Sequence, residues 1–182
     1  NAAISTAADL LRDDPDWLLQ GSNSTVGVWD GGQVRDTHRE LTNRVVVGDD
    51  VSLENHATHV AGTLMAAGVD PKARGMAPAA VAESRDWLSD TAEMTDRAAA
   101  SAADTNRLPV SNHSYGLLSG WDGTEWYGTW GYAESDNFGQ YGSYAREYDE
   151  VCYGAPYFLP FKAAGNDRND PAPSEGATFY YN

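Results

Sequence analysis

An alternation along the chain restricts its fold more than any other feature. Short apolar runs, each closed by glycine or by a polar residue, alternate with stretches of helical character. Thr25 to Trp29 is one such run and ends in Asp30-Gly31-Gly32, which predicts a buried strand. Asn55 to Ala67 predicts a helix, with Asn55 as N-cap and Gly68 and Pro71 as its stop. A strand over Ala79–Trp87, an Ala-, Glu- and Met-rich helix over Ser89–Asp104 and a strand over Leu108–His113 follow. A helix from about Ser143 to Tyr153 and a strand over Tyr157–Ala164 complete the series. Strands separated by helices re-enter the sheet in the same direction, so the order predicts an α/β fold with a parallel sheet.

Two segments stand outside the alternation. Ile4 to Leu19 has apolar residues near helical spacing, broken at Asp14-Pro15. Trp121 to Tyr144 is rich in Trp, Tyr and Gly, which predicts a long surface loop with its own aromatic packing. At 182 residues the chain suits a single domain, 1–182. Aromatics make up 11% of it, enough for a core and too many for a disordered chain. The net charge of −15 would be repelled by a phosphate backbone, which excludes a broad nucleic-acid-binding surface. No apolar run reaches the roughly 18 residues of a membrane span. Cys152, the single cysteine, has no partner within the chain and reads as a small buried hydrophobe, with a bridge to a cysteine on a second chain as the alternative. The start at Asn1, without Met, reads as a processed terminus. Acidic composition with only two lysines, Lys72 and Lys162, points to a secreted, extracellular setting.

In open parallel sheets the working residues gather beyond the carboxyl ends of the strands. Asp30, Ser114 and Asn166 stand at or near three such ends, and His56 opens the helix after the first. An Asp brought against a His forms the orienting half of a nucleophile relay: the carboxylate fixes the imidazole tautomer and stabilises the imidazolium formed in proton transfer. The carboxylate is needed here in particular, because a helix N-terminus disfavours a cationic His.

The blocks Val28-Trp29-Asp30-Gly31-Gly32, His38-Arg39-Glu40-Leu41, Asn55-His56-Ala57-Thr58-His59-Val60-Ala61-Gly62-Thr63 and Arg74-Gly75-Met76-Ala77-Pro78 resemble the subtilisin-like serine proteases, or subtilases. Ser111-Asn112-His113-Ser114-Tyr115-Gly116 and Ala163-Ala164-Gly165-Asn166 extend the resemblance, which covers about residues 25–166 in the family's order. It implies a three-layer fold, a mainly parallel central sheet with helices on both faces. It implies Asp30 as the orienting carboxylate, His56 as the general base and Asn166 as the side-chain donor of the oxyanion hole. The backbone of Ser114, Tyr115 and Gly116 would pair with an extended peptide or protein substrate, and Ala164 and Gly165 would line the specificity pocket.

Several positions depart from the family pattern. Ala57 replaces the usual glycine after the histidine, Gly31 replaces a Ser or Thr after the aspartate, and Pro160 falls within an expected interior strand. The Trp/Tyr-rich insert lengthens the segment between Gly116 and Asn166. As a lid, its Asp122, Glu125, Glu134 and Asp136 would favour basic or polar substrate residues. The largest departure is the family's Gly-Thr-Ser-Met-Ala nucleophile motif, which the 182 residues do not contain; Gly142-Ser143-Tyr144-Ala145 has the wrong order and place. The expectation is therefore the N-terminal part of one catalytic domain, completed by a second polypeptide that carries the serine.

The alternatives are a non-catalytic subtilase-like binding protein and a metal-dependent hydrolase built on His56 and His59. His59 reads more simply as a packed histidine, and His38 and His113 as structural ones. The relay calls for no cofactor. Family members often bind calcium, and Glu40 matches a ligand position, but the loop after Gly68 lacks the oxygen side chains to complete that site. Calcium elsewhere in a complete domain stays open.

Overall fold

A computed structural model describes residues 2–128, 135, 137–166, 170 and 172, and the backbone of 180 and 181. In chain order the elements are α1 (Ala2–Ser5), α2 (Ala8–Arg12), β1 (Thr25–Asp30), β2 (Val45–Val47) and α3 (Asn55–Met65), then β3 (Val81–Asp86), α4 (Asp90–Arg97) and β4 (Val110–His113). The hairpin strands β5 (Gly120–Asp122) and β6 (Glu125–Tyr127) precede α5 (Ser143–Gly154), β7 (Leu159–Lys162) and β8 (Tyr180–Tyr181). Five strands form one sheet in the order β2-β3-β1-β4-β7. Every neighbouring pair in it is parallel, as the alternation predicts.

The centre of the sheet explains the layers. Successive residues of a strand face opposite ways, and in β1 both faces are apolar. Val28 packs with Val34, Leu41, Ala57, Ala61, Met65 and Ala82 on the side of α3. Its neighbour Trp29 packs with Met94, Ala98, Leu108, Val151, Ala155 and Phe158 on the side of α4 and α5. Helices therefore cover both faces of a parallel sheet, the three-layer α/β arrangement. Both residues are fully buried, each burial being worth roughly 1.5–3 kcal/mol, and the Trp29 indole N–H is satisfied by Glu93 at 2.8 Å.

Four local expectations need correction. The helix expected over Ser89–Asp104 ends at Arg97 although Ala98–Ala103 is a good helix former. Ala98 is extended, Leu108 N–H donates to the Arg97 carbonyl and Ala99 N–H to that of Leu108, while the Asp104 carboxylate takes the N–H groups of Ala100 and Ser101. Pairing along the sheet and a local carboxylate cap outweigh propensity. The N-cap of α3 is Glu54 rather than Asn55, its carboxylate accepting the Ala57 N–H at 2.9 Å. Ile4–Leu19 buries no continuous apolar face: left-handed Ala7 separates α1 from α2, and Ile4, Leu10, Leu11, Trp17, Leu18 and Leu19 are exposed. The described part of Trp121–Tyr144 is not wholly loop, since β5 and β6 form an antiparallel hairpin and β8 adds beside β6. Its aromatic packing is as expected, with buried Trp126 against Trp121 and Phe138 at centroid distances of 5.0 and 6.4 Å. Glu134 and Asp136 lie outside the described residues.

Pro160 has a simple accommodation. Leu159 and Ala163 donate their N–H groups to the carbonyls of Pro109, just before β4, and His113, its last residue, so the nitrogen of Pro160 faces away from the ladder. Among the described residues β7 is the edge strand, where a missing donor is tolerated.

Candidate active site

The parallel sheet brings its carboxyl ends to one edge. The register pairs Trp29 with His113 and His113 with Lys162. Asp30 at the end of β1, Ser114 after β4 and Ala163 after β7 thus fall in adjacent places along that edge, about 4.8 Å from strand to strand. Ser114–Gly116 and Ala163–Asn166 leave the sheet side by side. Gly165 has φ 96°, a left-handed conformation that side chains beyond glycine seldom adopt, and Asn166 follows it, exposed.

Asp30 is 2% exposed, and both its oxygens lie 2.9 Å from Nδ1 of His56. Oδ1 also accepts the Gly31 N–H at 2.8 Å, so a backbone donor fixes the carboxylate from its own turn. A carboxylate can only accept, hence Nδ1 carries the hydrogen and Nε2 of the neutral ring carries the lone pair. The His56 side chain is 55% exposed, and no described residue bonds to Nε2. One nitrogen is held by a buried charge and the other is presented to solvent, the disposition of a base waiting for a proton. Position follows from sequence: His56 is the second residue of α3, whose buried Ala57, Ala61 and Met65 seat the helix on β1.

Asp30, Glu54 and His56 offer oxygen and nitrogen atoms within 4.8 Å of one another, a spacing that a cation could bridge. Nδ1 of His56 is already committed to Asp30 and the Glu54 carboxylate to the helix cap, so the donor set serves the dyad and the helix start. His59, paired with His56 in the metal alternative, does not belong to this group; it is exposed rather than packed. Glu40, at the position considered for calcium, accepts N–H groups from Gly68, Val69 and Asp70 at 2.8, 2.9 and 2.8 Å. Those bonds hold its carboxyl below the usual range, and the converging donors make the place a nest for the carboxylate itself.

A second polar cluster joins the segments that leave the sheet. Asp90, 3% exposed at the start of α4, accepts at Oδ2 from the hydroxyls of Tyr115, Tyr144 and Tyr148 at 2.6, 2.5 and 2.9 Å. Its Oδ1 accepts the Thr91 N–H at 2.7 Å. Burial opposes the charge on Asp90, but these four donors outweigh it and hold the carboxyl below its ordinary range. His113 is fully buried, stacked on Trp29 at 5.2 Å, with Nε2 at 2.7 Å from Ser111 Oγ and Nδ1 at 2.7 Å from the Tyr115 hydroxyl. Because the Tyr115 hydrogen goes to Asp90, Nδ1 of His113 must donate and Nε2 must accept from Ser111. Burial, aided by the nearby Lys162 charge, lowers its pKa to about 4. Lys162 lies 3.8 Å above the Tyr115 ring and donates to the Tyr148 hydroxyl at 3.1 Å. Sequence reading missed Asp90, Tyr144, Tyr148 and Lys162, since no local spacing unites residues drawn from three elements.

The sequence model of the Subtilase family matches residues 22–181. The chain belongs to the subtilase family. Comparison with curated proteins yields no match. Subtilases are serine proteases, and the matched region carries the sheet, the Asp30–His56 dyad and both strand ends described above. Two departures of this subtilase have physical explanations. A Cβ on Gly31 would lie 3.1 Å from the Trp87 ring, so the indole occupies the space of the usual hydroxyl residue. The extra methyl of Ala57 is fully buried in the cluster around Val28, where it adds to the seat of α3.

Proposed function

We infer that this chain supplies the Asp–His half of an Asp-His-Ser relay in a secreted endopeptidase, with the serine on a segment outside these 182 residues. The observation that carries this reading is the buried Asp30 carboxylate against Nδ1 of His56, with the rest of that ring open to solvent. In the reaction Nε2 takes the proton of the serine hydroxyl as its oxygen attacks the peptide carbonyl. Collapse of the tetrahedral intermediate breaks the C–N bond, and the imidazolium gives its proton to the departing amine, leaving an acyl-enzyme. Water, deprotonated by His56 in turn, hydrolyses that ester and returns the proton to the serine. Asp30 orients the ring and stabilises the imidazolium throughout.

Asn166 donates its side-chain N–H to the oxyanion, a donor whose loss costs about 10²–10³ in turnover in enzymes of this chemistry. The backbone of Ser114–Gly116 receives the extended substrate as an added strand, and Ala164 and Gly165 line the pocket for the side chain before the cleaved bond. Secretion is supported by the acidic, lysine-poor composition.

The experiment is peptide hydrolysis by the full-length protease with Asp30→Asn and His56→Ala. Asp30→Asn lowers kcat by about 10⁴, as loss of the orienting carboxylate does in serine proteases of a different fold, and His56→Ala costs at least as much. Undiminished hydrolysis by His56→Ala would assign the chain a different chemistry; inactivity of the unsubstituted protein would leave it the role of a binding protein.

A further inference from the structure

The cluster around Asp90 has no part in the relay, yet it reaches both segments that the proposed function assigns to substrate. Tyr115 is the middle residue of Ser114–Gly116, and its hydroxyl is held by Asp90 at 2.6 Å. Lys162 is the last residue of β7, immediately before Ala163–Asn166, and it caps the Tyr115 ring at 3.8 Å. One buried carboxylate therefore ties the ends of β4 and β7 to α4 and α5, through Tyr115 directly and through Tyr148 to Lys162. Tyr115, Tyr144 and Lys162 also line, with Trp87, Gly116 and Leu117, an open recess of about 410 Å³ beside the strand 114–116.

We propose that Asp90 is a positioning residue for extended substrates, its carboxylate fixing through Tyr115 and Lys162 the strand end on which the peptide lies and the recess that takes one of its side chains. The inference rests on the protease reading above. Three hydroxyl donors on one oxygen need a full negative charge to hold them together. An amide in its place either keeps its weaker oxygen on the hydroxyls with its NH2 against the Thr91 N–H, or turns the NH2 toward hydroxyls that are themselves donating. The tyrosines must then reorient, and the backbone of Tyr115 and the walls of the recess move with them. A displacement of about 1 Å in a substrate-positioning group is enough to cost up to a hundredfold. A short substrate that rests only on Ala164–Asn166 lacks the contacts along the strand and the recess, and so senses this less.

The test measures kcat and KM of the full-length protease on two substrates, a single-residue ester and an extended peptide amide that runs along Ser114–Gly116. Asp90→Asn is expected to lower kcat/KM on the peptide by about tenfold or more, mainly through KM, while the ester, held only at Ala164–Asn166, loses several-fold less. Tyr144→Phe, which removes one donor from a partly exposed ring, shifts the same ratio in the same direction by less, and decides the matter if Asp90→Asn fails to fold. Equal losses on both substrates, or an unchanged ratio, overturn the positioning role. His56→Ala measured alongside separates the two ideas. If it abolishes activity while the substrate ratio is indifferent to Asp90, only the positioning role falls. If it retains activity, the relay falls first.

Discussion

His56 and His113 hold the same side chain in opposite surroundings. His56 has one nitrogen on a buried carboxylate and a ring 55% exposed, which suits a proton carrier. His113 is fully buried with both nitrogens engaged by Ser111 and Tyr115 hydroxyls, and it is held neutral with a pKa near 4. That depression makes stability depend on pH. Between the ordinary value of 6.5 and about 4 the unfolded chain binds a proton that folded His113 refuses, so stability falls as pH falls. The loss over that window is about 3 kcal/mol. Asp90, held below its ordinary 3.8, adds a loss only at lower pH, because its stabilisation is complete above that value. Urea denaturation at pH 7 and pH 4.5, on wild type and His113→Gln, measures the effect: the variant should lose most of the slope, and equal slopes would contradict the assignment. The two histidines also differ in legibility. The block Asn55-His56-Ala57-Thr58-His59 carries the resemblance to the subtilases within one short stretch of chain. Nothing local to His113 says that its ring is buried and stacked on Trp29 of β1.

At the scale of elements, strands written as apolar runs with a polar or glycine stop were legible, exposed β7 among them, and the shortest strand of the five-stranded sheet was not. β1 could be read from Val26, Val28 and Trp29 because an apolar run ending in Gly31-Gly32 has few other uses. β2, three residues with two of them exposed, pairs with β3 on one side and leaves no such pattern. The Ala-rich tail of α4 misled through propensity, since Leu108 and Asp104 capture its backbone donors. The start of α3 matters most for the site. Glu54, at N-cap, satisfies the Ala57 N–H and stands beside the ring of His56. Glu54→Ala is expected to destabilise the protein by about 1 kcal/mol, while Glu54→Ser, which restores a cap acceptor, recovers most of it. Urea midpoints of the two variants check this. If the alanine and serine variants have equal midpoints, the carboxylate is not acting as the cap.

For the whole molecule, the strand order β2-β3-β1-β4-β7 is what turns separate motifs into one site. Parallel pairing sends Asp30, Ser114–Gly116 and Ala163–Asn166 to the same edge, and the covered faces leave that edge as the place where polar side chains gather. This much was legible, because strand-helix alternation fixes direction. Which strand lies beside which could not be read from periodicity, since β3 and β4 both pair with β1 across long connections. The nucleophile belongs to this scale too, as the Gly-Thr-Ser-Met-Ala motif is absent from the 182 residues while His56 stands against Asp30 with its ring 55% exposed. The decisive measurement is reaction of the full-length protease with a fluorophosphonate, followed by mapping of the modified residue in wild type and His56→Ala. One adduct is expected, on a serine outside residues 1–182, formed in wild type and lost in His56→Ala. An adduct within this chain, or one that forms equally without His56, would contradict it.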